Sequence, residues 1–244
     1  MATRPKHEAK SAPPSDTRGK IVDALMTLAA ERRFEDISIT DISKAAGVTL
    51  ADFRDAFPSK GAVLAGFSRR IDRAVLEQET GELADESPRE RLFDVLMKRL
   101  EAMAPYRDGI REAAAWVRRT PAAALAMNQV AMNSMRFMVE AAGVEAEGAA
   151  GAVKLQGLAL AWARVLQVWL DDDEPGLSKT MAELDRVLTR GERAAAGVDR
   201  LSALMSPFAG LAQAAFEAGR KARRGGSRAA ARKDDHGGEE ATTV

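Results

Sequence analysis

Apolar residues along the chain recur at the spacing of a helix face and nowhere alternate as in a strand. Ile21, Leu25, Leu28 and Ala29 make a first stripe, on a helix starting at Asp16 or Thr17, with Phe34 packing after it. Val63, Leu64, Phe67, Ile71, Val75 and Leu76 make another, on a helix opened by Ser59 and ended by Gly81, which Gly61 and Gly66 would loosen. Ser87-Pro88 reads as an N-cap with proline at N1, ahead of Leu92, Val95, Leu96, Leu100 and Met103. Pro105 breaks that helix, and Tyr106 to Arg119 carries Ile110, Ala114 and Val117. Thr120-Pro121 opens a methionine-rich helix ended by Gly143. A long apolar helix runs from Glu145 to about Leu170, an amphipathic one from Leu177 to Arg190, and a last one from Val198 to about Ala222. The expected fold class is therefore all-α.

Between the first two stripes, Ile39 to Lys60 reads as two short helices around a glycine turn. Thr40 is the expected N-cap of the first, with Asp41 favoured by the helix dipole, and Ile42, Ala45 and Ala46 make a narrow apolar face. Gly47 supplies the left-handed residue after the helix, and Val48 follows as a buried plug. Thr49 caps the second helix, whose stripe is Leu50, Phe53 and Phe57, and Pro58 stops it. Two arrangements fit this spacing, a helix-turn-helix or an αα-corner in a helical bundle.

Residues 18 to 64 resemble the N-terminal domain of the TetR-type (tetracycline-repressor-like) transcriptional regulators. The resemblance is carried by Phe34, by Ile39-Thr40 with Ile42, by Ala45-Ala46-Gly47-Val48-Thr49, and by Phe57-Pro58-Ser59-Lys60, in order and spacing. It implies an N-terminal helix-turn-helix three-helix domain followed by a larger helical ligand-binding and dimerisation domain. The implied division is a disordered arm over 1–15, the DNA-binding domain over 16–62, the helical body over 63–219 and a disordered basic tail over 220–244. It further implies a homodimeric repressor on a palindromic operator in double-stranded DNA, released by a small apolar ligand. Thr40, Thr49, Leu50, Ala51, Asp52, Arg54 and Lys60 would face the DNA, with Leu50 or Ala51 on a thymine methyl. Three positions depart from the family pattern: Asp52 replaces a Thr or Ser, Arg54 a Tyr, and Ala56 a Tyr or His. Asp52 would stand close to a polyanion, whereas Arg54 can take over a phosphate contact.

Charge sharpens that tension. The 244-residue chain has a formal net charge of +0. From Asp16 to Leu64, acids exceed bases by one, although phosphate neutralisation supplies much of a DNA reader's affinity. With no cysteine, there is no disulfide or thiol chemistry. The two histidines, His7 and His236, lie in the expected tails, so no catalytic site, metal site or cofactor is expected. The N-terminus shows no secretory signal and no apolar run suits a bilayer, so a cytoplasmic location is expected. The acids from Asp171 to Glu174 lack calcium-loop spacing and read as a solvated turn capping the next helix. Seven basic residues and no acid between Arg220 and Lys233 could bind polyanions or simply solubilise the chain.

Ligand-pocket candidates are Trp116, Met127, Met135, Met138 and Trp162, each of which core packing would also explain. A second resemblance is shorter. Val168-Trp169-Leu170-Asp171, Ser178-Lys179-Thr180 and Leu184-Asp185-Arg186 are similar to the C-terminal pattern of TetR-fold proteins that bind isoprenoid lipids and assist ubiquinone biosynthesis. That alternative implies a membrane-surface partner in place of DNA.

Overall fold

The structure, a computed structural model, describes residues 14–78, 85–144, 146, 148–194 and 197. Nine helices follow one another among these residues, and no strand occurs among them. They are α1 (Pro14–Glu31), α2 (Ile39–Ala46), α3 (Leu50–Ala56), α4 (Lys60–Leu76), α5 (Pro88–Met103), α6 (Arg107–Arg119), α7 (Pro121–Ala141), α8 (Gly148–Leu170) and α9, helical from 178 to 194. Short 3-10 turns at Phe34–Asp36 and Ala104–Tyr106 lead into α2 and α6. The described residues up to Arg193 belong to one compact unit. Of the arm expected over 1–15, residues 14 and 15 already belong to α1 and 1–13 fall outside the described residues, as do Gly81, the Val198–Ala222 helix, the basic tail and both histidines. The all-α expectation agrees with these helices.

Local chemistry sets the helix ends. Ser38, not Thr40, caps α2: its Oγ accepts from the Asp41 N–H at 3.1 Å, while the Asp41 carboxylate accepts from the Ser38 N–H at 3.0 Å. The cap falls there because Ser38 and Asp41 form a reciprocal box, which a cap at Thr40 would forgo. Thr49 with Asp52 and Ser87 with Glu90 repeat the device on α3 and α5. Gly47 closes α2 in the left-handed region, φ 64°, where a side chain would be strained. Helix α1 begins at Pro14, ahead of the expected start, and α4 ends at Leu76, short of Gly81.

Helix α1 buries Ile21, Val22, Ala24, Leu25, Met26 and Ala29, a face wider than one stripe, because α2, α3, α4 and α6 all pack around it. Its most extensive contact is with α6. Gly109 makes that crossing possible: a Cβ there would stand 2.5 Å from the Met26 carbonyl oxygen. Gly66 serves the same end in α4, since a Cβ would come within 2.7 Å of the Phe57 ring. Gly66 therefore allows close packing instead of loosening its helix. Behind the three N-terminal helices, α4 packs on α5 and α7, and α7 on α8. The carbonyls at the C-terminal end of α8 are met by α6. Arg107 Nη2 donates to the Trp169 oxygen at 2.6 Å, and Arg111 donates to Leu170.

The acidic turn is not wholly solvated. Asp172 is buried and accepts from both the N–H (2.9 Å) and the hydroxyl (2.7 Å) of Thr180 in α9. Burial opposes its charge, but these bonds outweigh that effect and hold the carboxyl below its ordinary value. The turn thus caps α9 from inside the fold.

Two outcomes check this account. Gly109→Ala forces the added carbon against backbone that cannot rotate away, so a loss of about 1–3 kcal/mol in urea-denaturation stability is expected. Ser38→Ala removes a cap and costs about 1 kcal/mol by the same measurement.

Candidate nucleic-acid interface and ligand cavity

Helices α2 and α3 present one exposed surface. Thr40, Thr49, Leu50, Ala51, Asp52 and Arg54 are all exposed, and Leu50 is 55% exposed although apolar. Phe53 and Phe57 turn inward and are buried, which fixes the face that α3 shows to solvent. Val48 is only half-buried, packed at the edge of the core.

Not all of these side chains are equally available. The Asp52 carboxylate accepts from the Thr49 N–H at 3.0 Å and hydroxyl at 2.7 Å, and the Thr49 Oγ1 accepts from the Asp52 N–H. Hydrogen bonds from the Thr49 hydroxyl, then from its N–H, hold the Asp52 carboxyl below its ordinary value. Asp41 is lowered in the same way by the N–H and then the hydroxyl of Ser38. The acid next to the expected polyanion is thus the N-terminal anchor of α3. Leu50, Ala51 and Arg54 keep their side chains uncommitted, and Arg54 has no ion-pair partner among the described residues.

Lys60 departs from expectation. Its Nζ turns inward and donates to the carbonyls of Phe34 (2.7 Å), Ile37 (2.9 Å) and Glu35 (3.2 Å), 4.9 Å from the Phe34 ring centroid. Desolvation lowers its pKa, and Glu35 and Asp36 oppose that shift. The carbonyls belong to the 3-10 turn and to Ile37 just after it; only the Phe34 oxygen accepts a backbone N–H as well, from Ile37 at 3.4 Å, and the ammonium gathers all three. Lys60 is a clasp on the turn and not part of the outward face.

The same turn is gripped by α6. Glu112 accepts the Phe34 N–H at 3.1 Å, Trp116 stacks on the Phe34 ring at 4.4 Å between centroids, and Arg119 pairs with Glu35 at 2.8 Å. Trp116 was a pocket candidate, but its ring serves this junction and borders only a smaller cavity of about 230 Å³ beside Ala123 and Met127.

The other face of α6 walls the main cavity, of about 400 Å³, through Ile110, Ala113 and Val117. Met127 of α7 and Trp162 of α8 are among its lining residues. Met135 and Met138 do not: both are 0% exposed in the core, on the α7 face turned toward the bundle. Two expected lining residues are therefore packing residues, because helical spacing identifies a buried face without saying which part of it leaves space.

Sequence spacing also hid the polar floor of this cavity. Arg99 sits in the apolar stripe of α5 and is 4% exposed. Its Nε and Nη2 donate to Asp72 Oδ1 of α4 at 3.2 and 3.0 Å, and Nη2 also to Ser68 Oγ at 3.1 Å. Ser134 of α7 donates to the same Asp72 oxygen at 2.6 Å, and the guanidinium lies 4.8 Å from the Trp162 ring centroid. Burial lowers the Arg99 pKa, with the Asp72 charge and hydrogen bonds opposing it; a guanidinium keeps its proton even so. The available signal was a lone arginine among Leu92, Val95, Leu96, Leu100 and Met103, a position that demands a buried counter-ion.

No family model matches this chain, and no curated protein matches it. Solved structures do. A TetR transcriptional regulator from Nitrosomonas europaea ATCC 19718 matches at 21% identity and a TM-score of 0.56, over 72% of this chain and 97% of that one. A TetR transcriptional regulator from Rhodococcus sp. RHA1 matches at 20% identity and a TM-score of 0.53, over 72% and 96%. The chain has the TetR-regulator fold. Within it α1, α2 and α3 pack on one another, and α4 and α6 both pack on α1 and line the cavity. The likenesses do not favour the lipid-binding resemblance. Its signature residues Trp169 and Leu184 are buried, and Asp171 pairs with Arg111 at 3.0 Å, so packing alone accounts for them. No helix among the described residues is long and apolar enough to cross a membrane.

Two measurements test the site chemistry. A carboxyl whose folded-state pKa lies below its unfolded value stabilises the fold above the unfolded value and stops doing so as pH falls through the folded one. Stability should therefore be level down to about pH 4 and fall below it. The Asp41→Asn, Asp52→Asn double variant should flatten that fall in urea midpoints taken across pH. Lys60→Met should lower the melting temperature, because three carbonyls lose their donor; a lysine serving only phosphate would leave it unchanged.

Proposed function

We propose that this chain is a DNA-binding transcriptional regulator of TetR type, a homodimeric repressor released from a palindromic operator by a small, chiefly apolar molecule. The observation that carries the proposal is the bare outward face of α3, where Leu50, Ala51 and Arg54 are exposed and unused within the fold. An exposed leucine beside an arginine on the first turns of such a helix suits a thymine methyl and a phosphate or guanine edge. Thr40 on α2 flanks the same surface and suits a backbone contact. Thr49 and Asp52 set the helix and contribute to affinity through its position.

A second copy suits the exposed stripe of Val153, Gly157 and Leu160 on α8, with spacing i, i+4, i+7; Val153 is 59% and Leu160 60% exposed. Two-fold pairing matches a half-site spacing of about 34–36 Å. Release follows from the two faces of α6. One face lines the cavity, and the other holds the 3-10 turn ahead of the reader. A ligand that fits one position of α6 better than another shifts the population between two reader geometries, by no more than its differential affinity for them. A cytoplasmic location follows from a partner that is chromosomal DNA. The domain division proposed is a reader ending near residue 62 and a helical body beyond it.

Capture of fragments from the protein's own genome by the purified full-length chain tests this. One or a few palindromic fragments should survive moderate salt, and Arg54→Ala should weaken them at least about tenfold. Val153→Asp with Gly157→Asp, both clear of the cavity wall, should give monomers by sedimentation and lose the fragments. Absence of any fragment selected at moderate salt would remove the regulator proposal.

A further inference from the structure

We infer that the main cavity takes an uncharged, chiefly apolar molecule carrying one acceptor oxygen, seated against the guanidinium of Arg99. The inference rests on the proposal that this cavity is the ligand site, and adds the chemical class of the ligand.

Arg99, Ser68, Met103 and Trp162 reach the cavity wall, whereas Asp72 lies behind Arg99 and does not. The buried ion pair therefore turns its positive end to the space. Asp72 and Ser68 occupy Nε and Nη2 with oxygen acceptors. Nη1 has only the Met103 sulfur, at 3.2 Å. A thioether is a weak acceptor on a flexible chain, so an incoming oxygen displaces it readily. The rest of the wall is predominantly Leu, Ile, Val, Ala, Met and Phe, which suits an apolar body.

Charge decides among acceptors. Asp72 already neutralises Arg99, so a ligand carboxylate would leave an excess negative charge in a low-dielectric space and would lose its hydration to do so. A cationic ligand would meet the positive end. A plain hydrocarbon leaves Nη1 with its sulfur and gains nothing there. A ketone, ester, lactone or similar neutral oxygen meets the donor without either cost. Arg118, the other charged residue of the wall, is exposed, and selects weakly because water screens it.

Three probes of one shape separate these cases: 2-acetylnaphthalene, 2-ethylnaphthalene and 2-naphthoate, titrated calorimetrically into the full chain. The ketone is expected to bind about tenfold or more tightly than either other probe, as a hydrogen bond to a charged donor warrants. In the Arg99→Met, Asp72→Asn double variant, which removes the cation together with its counter-ion, ketone and hydrocarbon should bind alike. A tightest-binding naphthoate, or equal binding of ketone and hydrocarbon to the native chain, overturns the inference and leaves the cavity a ligand site. If none of the three binds, the ligand-site proposal fails and the inference with it. The native-chain comparison decides the matter even if the double variant does not fold.

Discussion

Phe34 is held on every side at once. Its ring is stacked on Trp116 of α6, its N–H is taken by Glu112 of the same helix, and its carbonyl is met by Lys60 of α4. It is 0% exposed. A single residue in a 3-10 turn is thus the point where the helix-turn-helix unit, the linking helix and the cavity wall meet. The turn makes only two backbone hydrogen bonds of its own, from Asp36 to Arg33 and from Ile37 to Phe34, so side chains from other helices meet the Phe34 N–H and the carbonyls of Phe34, Glu35 and Ile37. That requirement fixes α4 and α6 relative to α2.

Two further devices keep these helices close. Gly109 and Gly66 remove side chains where backbone or an aromatic ring must approach, so α1 lies directly on α6 and Phe57 lies directly on α4. The buried Arg99–Asp72 pair, with Ser68 and Ser134, joins α4, α5 and α7. A buried pair of this kind adds little net stability over apolar packing, but removing one partner alone leaves an uncompensated charge. It therefore restricts how α4, α5 and α7 can sit, and at the same time lends polarity to a cavity that is otherwise apolar.

The near-neutral charge of the reader is explained by where its acids go. Asp41 and Asp52 anchor helix N-termini, Glu35 meets Arg119 at 2.8 Å, and Asp23 meets Arg70 at 2.7 Å. Acids that look misplaced in the proposed DNA-facing domain hold its helices and turn in place. Asp52 is turned back on Thr49, which leaves Arg54 as the uncommitted cation of the α3 face.

Much of this was legible beforehand. The all-α class, the glycine turn at Gly47, the caps at Thr49, Ser59 and Ser87 and the breaks at Pro58 and Pro105 are written in residue types, because helix propensity, capping and proline geometry act over a few neighbouring residues. Helical spacing grouped Met127, Met135 and Met138 on one face, of which only Met127 borders the cavity while Met135 and Met138 fill the core. Lys60, which the resemblance implied would face DNA, is drawn inward by carbonyls more than twenty residues away. Arg99 and Asp72 could be paired only once α4 and α5 were side by side. The sequence by itself determined which segments are helical and which residues end them, since those forces are local. The tertiary structure decided which buried faces leave space, which polar groups meet and which acids stay free, since those outcomes depend on distances between elements that no local pattern encodes.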